Sequence, residues 1–299
     1  MEYAKPEYTK NEINWAGKIL IDRNSNKSDR EKATNILSNW RAIHSYPMLV
    51  LQLGLRAKSK DLDNNAIVVQ RLKRETSILA KLIRFKSMKL YQIQDIGGCR
   101  SVLPTVQLVK KCYNDYKKRK IAHALLWEKD YIQHPKSDGY RSIHLIYKFN
   151  SNKYKEYNGL LIEVQIRSRL QHLWATAVET AGCFTKQAIK SNQGDPNWSE
   201  FFRLVSSVFA NIENTPTVPN TPSHEKELYD KIIKLESKLD VIERMTGWTA
   251  SLNTMNKKFP RDIKFFLLQL DTSKHLLTIR GYRKDDEKKL QPIIQGWRK

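Results

Sequence analysis

Four short segments of the chain carry side chains suited to handling phosphate. Arg71-x-Lys73, followed by Ser77 and Lys81, places cations and a hydroxyl near one helix end, a set that fits a polyphosphate. Asp95-Ile-Gly-Gly-Cys-Arg100 joins a carboxylate to two glycines, which let backbone approach a ligand, and to an arginine that opens a strand. Asp130-Tyr131-Ile132 leads through Pro135-Lys136 to Gly139-Tyr140-Arg141-Ser142-Ile143-His144, a loop with an aromatic ring at its tip. Finally, Glu163, Gln165 and Arg167 alternate with Ile162, Val164 and Ile166. One face of that strand is core, and the other aims two charges and an amide into one space. Asp95 and Glu163 are candidate oxygen ligands of a Mg²⁺ ion that keeps most of its waters and binds substrate phosphates. The alternative leaves Asp95 as a turn or cap residue and Glu163 as the partner of an arginine.

Hydrophobic periodicity gives the elements that must position these groups. Residues 30–58 read as a helix to His44, with Ile36, Leu37, Trp40 and Ile43 on one face, a break at Pro47 and a second helix to Leu55. Residues 66–86 continue helically. Short β-rich runs follow at 99–103, 124–131, 142–149 and 160–168, with a crossover helix over 108–118, so the expected class is α+β, a mixed sheet with flanking helices. Helical patterns return at 169–180 and 198–212. Three prolines within 215–222 then mark a linker, which divides the chain into 1–213, a linker 214–222, and a C-terminal domain 223–299 made of a helix over 225–245 and a hairpin whose strands flank 271–274.

Composition narrows the classes. The 299 residues carry 53 Lys+Arg against 31 Asp+Glu, a formal charge of +22, and at 40% hydrophobic the chain is too apolar to be a disordered basic tail. The excess is spread along both parts of the chain, with local runs at 71–89 and 110–120, and implies an anionic partner. No apolar run of membrane-spanning length and no signal-peptide pattern is present, so a cytoplasmic location and no membrane partner are expected. Cys99, Cys112 and Cys183 have no CxxC spacing, which argues for buried, reduced thiols and against a zinc site.

In order and spacing, the four segments resemble the synthetase domain of the RelA/SpoT alarmone-synthetase family over about residues 30–212. The stretches 39–47 and 170–179 look like the branch that includes toxic small alarmone synthetases and CapRel-type fusion toxin–antitoxins. The resemblance implies a five-stranded mixed sheet of nucleotidyltransferase-like type and a pyrophosphokinase in which ATP gives its β,γ-pyrophosphate to a ribose 3′-hydroxyl. It places Arg71 and Arg100 around adenine, with Lys73, Ser77 and Lys81 on the ATP phosphates and Asp95 and Glu163 on Mg²⁺. Tyr140 would stack on the acceptor base, Lys136, Arg141 and His144 lie near acceptor phosphates, and Gln165 and Arg167 orient the strand side. Glu163 could also take the proton of the 3′-hydroxyl. None of the seven histidines is followed by Asp, so the hydrolase motif of bifunctional members is absent. Two acceptors fit: the 3′-CCA end of tRNA, in a translation-blocking toxin of phage defence, or GDP/GTP, in a (p)ppGpp synthetase. The spread basic charge puts tRNA ahead. A non-catalytic RNA-binding module ranks lowest, because Asp95, Tyr140 and Glu163 are all present. Residues 223–299 resemble a pseudo-zinc-finger antitoxin domain, which implies autoinhibition relieved by a phage-protein trigger.

Overall fold

The computed structural model describes residues 3–118, 122–185 and 195–248 and the two strands 263–271 and 276–283. It divides into two compact units that interleave along the chain, residues 1–175 with 202–228, and residues 176–201 with 229–299. The sequence reading instead has a single boundary at 214–222. That Pro-rich segment is held within the first unit, where the Val218 amide donates to Ser207 Oγ at 3.0 Å and Arg203 donates to the carbonyls of Pro219 and Asn220.

The first unit is built on β1 (Ile67–Leu72), β2 (Gly97–Leu103), β3 (Ala124–Asp130), β4 (Ile143–Lys148) and β5 (Leu161–Ser168). They form one sheet in the order β1-β2-β5-β4-β3, in which only the β2–β5 pair is parallel. The mixed five-stranded sheet is therefore present. α3 (Ser45–Leu62) and α5 (Val106–Lys118) cover one face. Met48, Leu51 and Leu55 from α3 and Val109, Cys112 and Tyr116 from α5 form one core with Cys99, Leu145, Ile162, Val164 and Ile166. A second core joins α1 (Lys10–Ile21), α2 (Lys27–Ala42) and α4 (Glu75–Arg84) through Ala16, Ile36, Leu37, Trp40, Ile78 and Leu82. The face expected for α2 is thus the buried one.

Residues 66–86 do not form one helix. Ile67-Val68-Val69 is a β-branched run that favours extended backbone, and it pairs antiparallel with β2, so the helix begins only at Glu75. The break expected at Pro47 lies at 43–44, and Pro47 sits in the first turn of α3, where its missing N–H is harmless. Cys99 and Cys112 are buried, as the composition suggests, but Cys183 is exposed.

The second unit includes most of the helix Glu225–Leu239 and the antiparallel hairpin β6 (Ile263–Asp271) with β7 (Leu276–Arg283). The helix expected over 225–245 is interrupted at Asp240, whose φ of 50° is left-handed, and resumes over 241–248. The turn residues 272–274, the end 284–299, and Arg119 and Lys120 of the basic run lie outside the described residues. No described helix is long and apolar enough to cross a membrane.

Candidate active site

Strand register assembles the site on the face of the sheet opposite α3 and α5. Arg71 pairs with Gly98, Gly98 with Glu163, Glu163 with Ile146, and Ile146 with Trp127, so these residues form one row across all five strands. The next row runs Val69, Arg100, Gln165, His144 and Lys129. Residues two apart on a strand share a face, which is why segments far apart in sequence meet here. They line a cavity of about 320 Å³ that receives Arg71, Lys81, Asp95, Arg100, Lys136, His144, Glu163 and Gln165.

The glycines divide their labour. A Cβ on Gly98 would meet the Glu163 backbone oxygen at 3.4 Å, an ordinary contact, so the row between Arg71 and Glu163 stays open to a ligand. A Cβ on Gly97 would press on Ile162 Cδ1 at 3.0 Å and His44 Cβ at 3.1 Å. That glycine serves packing rather than ligand approach.

At the donor end, Lys73 Nζ and Lys81 Nζ reach the two Asp95 oxygens at 2.6 and 2.9 Å. Burial pushes the Asp95 carboxyl up, and the two ammonium groups outweigh it, so the carboxyl sits below its usual range. Lys73 is held from behind. Its amide donates to Ile96 O, and Arg41 on α2 donates to its carbonyl at 2.9 Å while pairing with Glu75 at 2.8 Å. Ser77 is exposed on the first turn of α4, outside the cavity lining.

On the strand side, Glu163 Oε1 accepts from His144 Nδ1 at 2.8 Å and Oε2 from Gln165 Nε2 at 2.7 Å. Burial raises the Glu163 pKa, but the His144 hydrogen bond and charge outweigh it and hold the carboxyl below its usual value. Arg167 bonds the groups beside Glu163. At 1% exposure it is enclosed, donating to Gln165 Oε1 and Tyr140 Oη, with Nε left without a partner. Arg141 departs from the expected role: it is buried and faces away, donating to Ser206 Oγ, Thr215 Oγ1 and the Pro216 carbonyl. Its offset of three residues from His144 puts it out of step with the cavity face. Burial pushes its pKa down to about 10, so it remains charged at neutral pH.

Tyr140 lies beside the cavity, its ring edge-on to His144 and Tyr131. Lys136 Nζ stands over the Tyr131 and Tyr140 rings at 4.4 and 5.1 Å from their centroids. The loop is docked through Gly139, whose φ of +91° and closeness to Trp174 and Ser206 leave no room for a side chain. Tyr131, Trp127, Gln70 and Gln94 also line the cavity and carry no role in the sequence reading. The β3 alternation could have given Trp127; Tyr131, in the loop, has no such signal.

Residues 70–187 match the family model described as "Region found in RelA / SpoT proteins". That stretch of the chain is similar to the RelA/SpoT region. Two Bacillus subtilis (strain 168) proteins, GTP pyrophosphokinase YwaC and GTP pyrophosphokinase YjbM, are each 34% identical to it, over 112 and 115 residues, or 36% of this chain and 52% of theirs. The chain thus spans about half the length of the curated relatives it matches. Its fold is similar to the small alarmone synthetase 1 of Bacillus subtilis, solved bound to its product pppGpp, with a TM-score of 0.51 at 21% identity, covering 60% of this chain and 93% of that one. The matched stretch contains every site residue named above except Arg41, His44, Val69 and the outer partners Ser206, Thr215 and Pro216.

Proposed function

We propose that the chain is a pyrophosphokinase that moves the β,γ-pyrophosphate of ATP to the ribose 3′-hydroxyl of an acceptor nucleotide, with AMP leaving. The observation that carries this reading is the single row Arg71–Gly98–Glu163, with Asp95 and its two lysines beside it. It supplies one anionic end and one cationic end within one cavity, which is what a phosphoryl transfer governed by positioning and charge neutralisation needs.

Arg71 and Arg100 offer guanidinium planes for adenine, and Lys73 and Lys81 would turn from Asp95 to the donor phosphates. Asp95 and Glu163 suit Mg²⁺: both are oxygen donors lining one cavity, and the described residues hold no cluster of three His, Cys, Asp or Glu. Such an ion completes its shell with phosphates and water, and when bound it neutralises charge on the transferred group. Glu163, ionised and held by two N–H donors, is placed to accept the 3′-hydroxyl proton. Tyr131, Lys136 and Tyr140 would meet the acceptor.

The relatives' names favour a guanosine nucleotide, GTP, as that acceptor, which reverses the order drawn from charge and branch resemblance. The tRNA 3′ end is the second reading, favoured by the +22 charge, most of which lies outside the cavity. Residues 223–299 would act as a regulatory part answering to a protein trigger, and deleting them would then raise activity; unchanged or lower activity rejects this. Incubation with γ-labelled ATP and GDP, GTP or tRNA tests the central reading. Label in the guanosine nucleotide supports the first acceptor, label in tRNA the second, and label in neither rejects the activity.

A further inference from the structure

The groups around Glu163 close into a ring. Tyr140 Oη lies 2.8 Å from His144 Nε2 and accepts from Arg167 at 2.9 Å; Arg167 donates to Gln165 Oε1 at 2.6 Å; and Gln165 and His144 both bond Glu163. With the imidazole neutral, the proton directions in this ring follow from the partners. Ionised Glu163 only accepts, so His144 carries its proton on Nδ1. A neutral His144 then presents a bare Nε2, and the one group there that can donate is the Tyr140 hydroxyl, whose oxygen is already receiving from Arg167. Gln165 Oε1 faces two donors, Arg167 and Arg100, so its amide nitrogen must face Glu163.

Both arms that orient the Glu163 carboxylate therefore start from the enclosed Arg167, and one passes through the Tyr140 hydroxyl. Tyr140 belongs to the acceptor loop, docked by Gly139 and Ser206. We propose that the Tyr140 hydroxyl is a positioning group for Glu163: through His144 it couples the place of the acceptor loop to the direction of the carboxylate, a task separate from any contact its ring makes with the acceptor. His144 and Arg167 share this task and are not acceptor-phosphate ligands. The proposal rests on the pyrophosphokinase reading for its kinetic arm alone.

Tyr140→Phe separates the two roles, because it keeps the ring and removes the hydroxyl. The expected result is a loss of about tenfold or more in kcat, typical of removing a partner that orients a metal-binding or catalytic group, with the acceptor KM little changed. Tyr140→Phe combined with His144→Asn loses little beyond the worse single variant, since either opens the same arm. An unchanged kcat for Tyr140→Phe, or a rise confined to acceptor KM, overturns the proposal. A second arm needs no turnover: ¹⁵N–¹H spectra of the nucleotide-free wild type at about pH 8, where a free imidazole is neutral, should show His144 as the Nδ1–H tautomer. The Nε2–H tautomer overturns the ring. If the wild type transfers nothing to any acceptor, the activity reading fails, and the tautomer still decides the ring.

Discussion

On one face of the five-stranded sheet, Cys99, Leu145, Ile162, Val164 and Ile166 are at most 2% exposed and pack against α3 and α5. One residue along the same strands, Gly98, Arg100, His144, Glu163 and Gln165 face the cavity and are held mainly by hydrogen bonds and charge. The first face stabilises by removing apolar surface from water, about 1.5–3 kcal/mol for each large side chain, and tolerates neither lost volume nor an unpaired polar group. The second gathers desolvated carboxylates and cations whose net stabilisation is small and whose value lies in being aimed. Strand alternation lets one backbone serve both, so substitutions on neighbouring residues should separate stability from activity.

The largest effect should come from the cavity face. Glu163→Gln keeps the shape and removes the charge; pyrophosphate transfer should fall by about 10³-fold, while stability falls by about 1–3 kcal/mol because the new amide N–H meets an N–H of His144 or Gln165. Labelled-ATP turnover and thermal melting of the same preparation check this, and a variant that melts far lower without losing turnover breaks the division of faces. Ile166→Ala, three residues away on the core face, should do the reverse. It should cost about 2–5 kcal/mol in urea unfolding, with turnover per folded molecule largely retained.

The His44 imidazole, wedged against Gly97 and fully buried, gives a pH test of the core. Burial lowers its pKa from 6.5 to about 4 despite the hydrogen bond from Nδ1 to the Trp40 carbonyl, so the unfolded chain binds a proton that the folded chain refuses. The His44 contribution is complete above about pH 6.5, declines as pH falls towards 4, and levels off below, a loss of about 3 kcal/mol. Stability from denaturant unfolding across that range should fall more steeply with falling pH in the wild type than in His44→Gln, the carboxylate contribution being common to both.

The adjacent glycines give the finest test. Gly97→Ala should destabilise by about 1 kcal/mol, because its methyl group presses on Ile162 and the stiff His44 Cβ, with nucleotide binding kept. Gly98→Ala should be neutral or up to about 0.5 kcal/mol more stable, since strand glycine costs entropy and the contact is ordinary, while it weakens nucleotide binding by narrowing the row beside Glu163. Equal effects at the two positions would mean that the faces are not distinct.

Much of this was readable in the chain. The alternation of Ile162, Val164 and Ile166 with Glu163, Gln165 and Arg167 defined both faces of β5, and eight of the thirteen residues singled out by type and spacing do line the cavity. Local pattern sufficed there because a period of two fixes which way a strand residue points. It failed at β1, where a short apolar run in a helical-looking context became a strand only by pairing with β2. It failed again at Arg141, whose residue type suggests a ligand contact but whose partners Ser206 and Thr215 lie 65 and 74 residues away. Arg41 was given no role for the same reason, its partners Lys73 and Glu75 lying 32 and 34 residues away. By itself the sequence determined which groups could do phosphate chemistry and which strand faces were apolar. Tertiary structure alone decided which cations meet a ligand and which are enclosed to hold others in place, because that depends on the elements packed behind each strand, and no local spacing encodes those distant contacts.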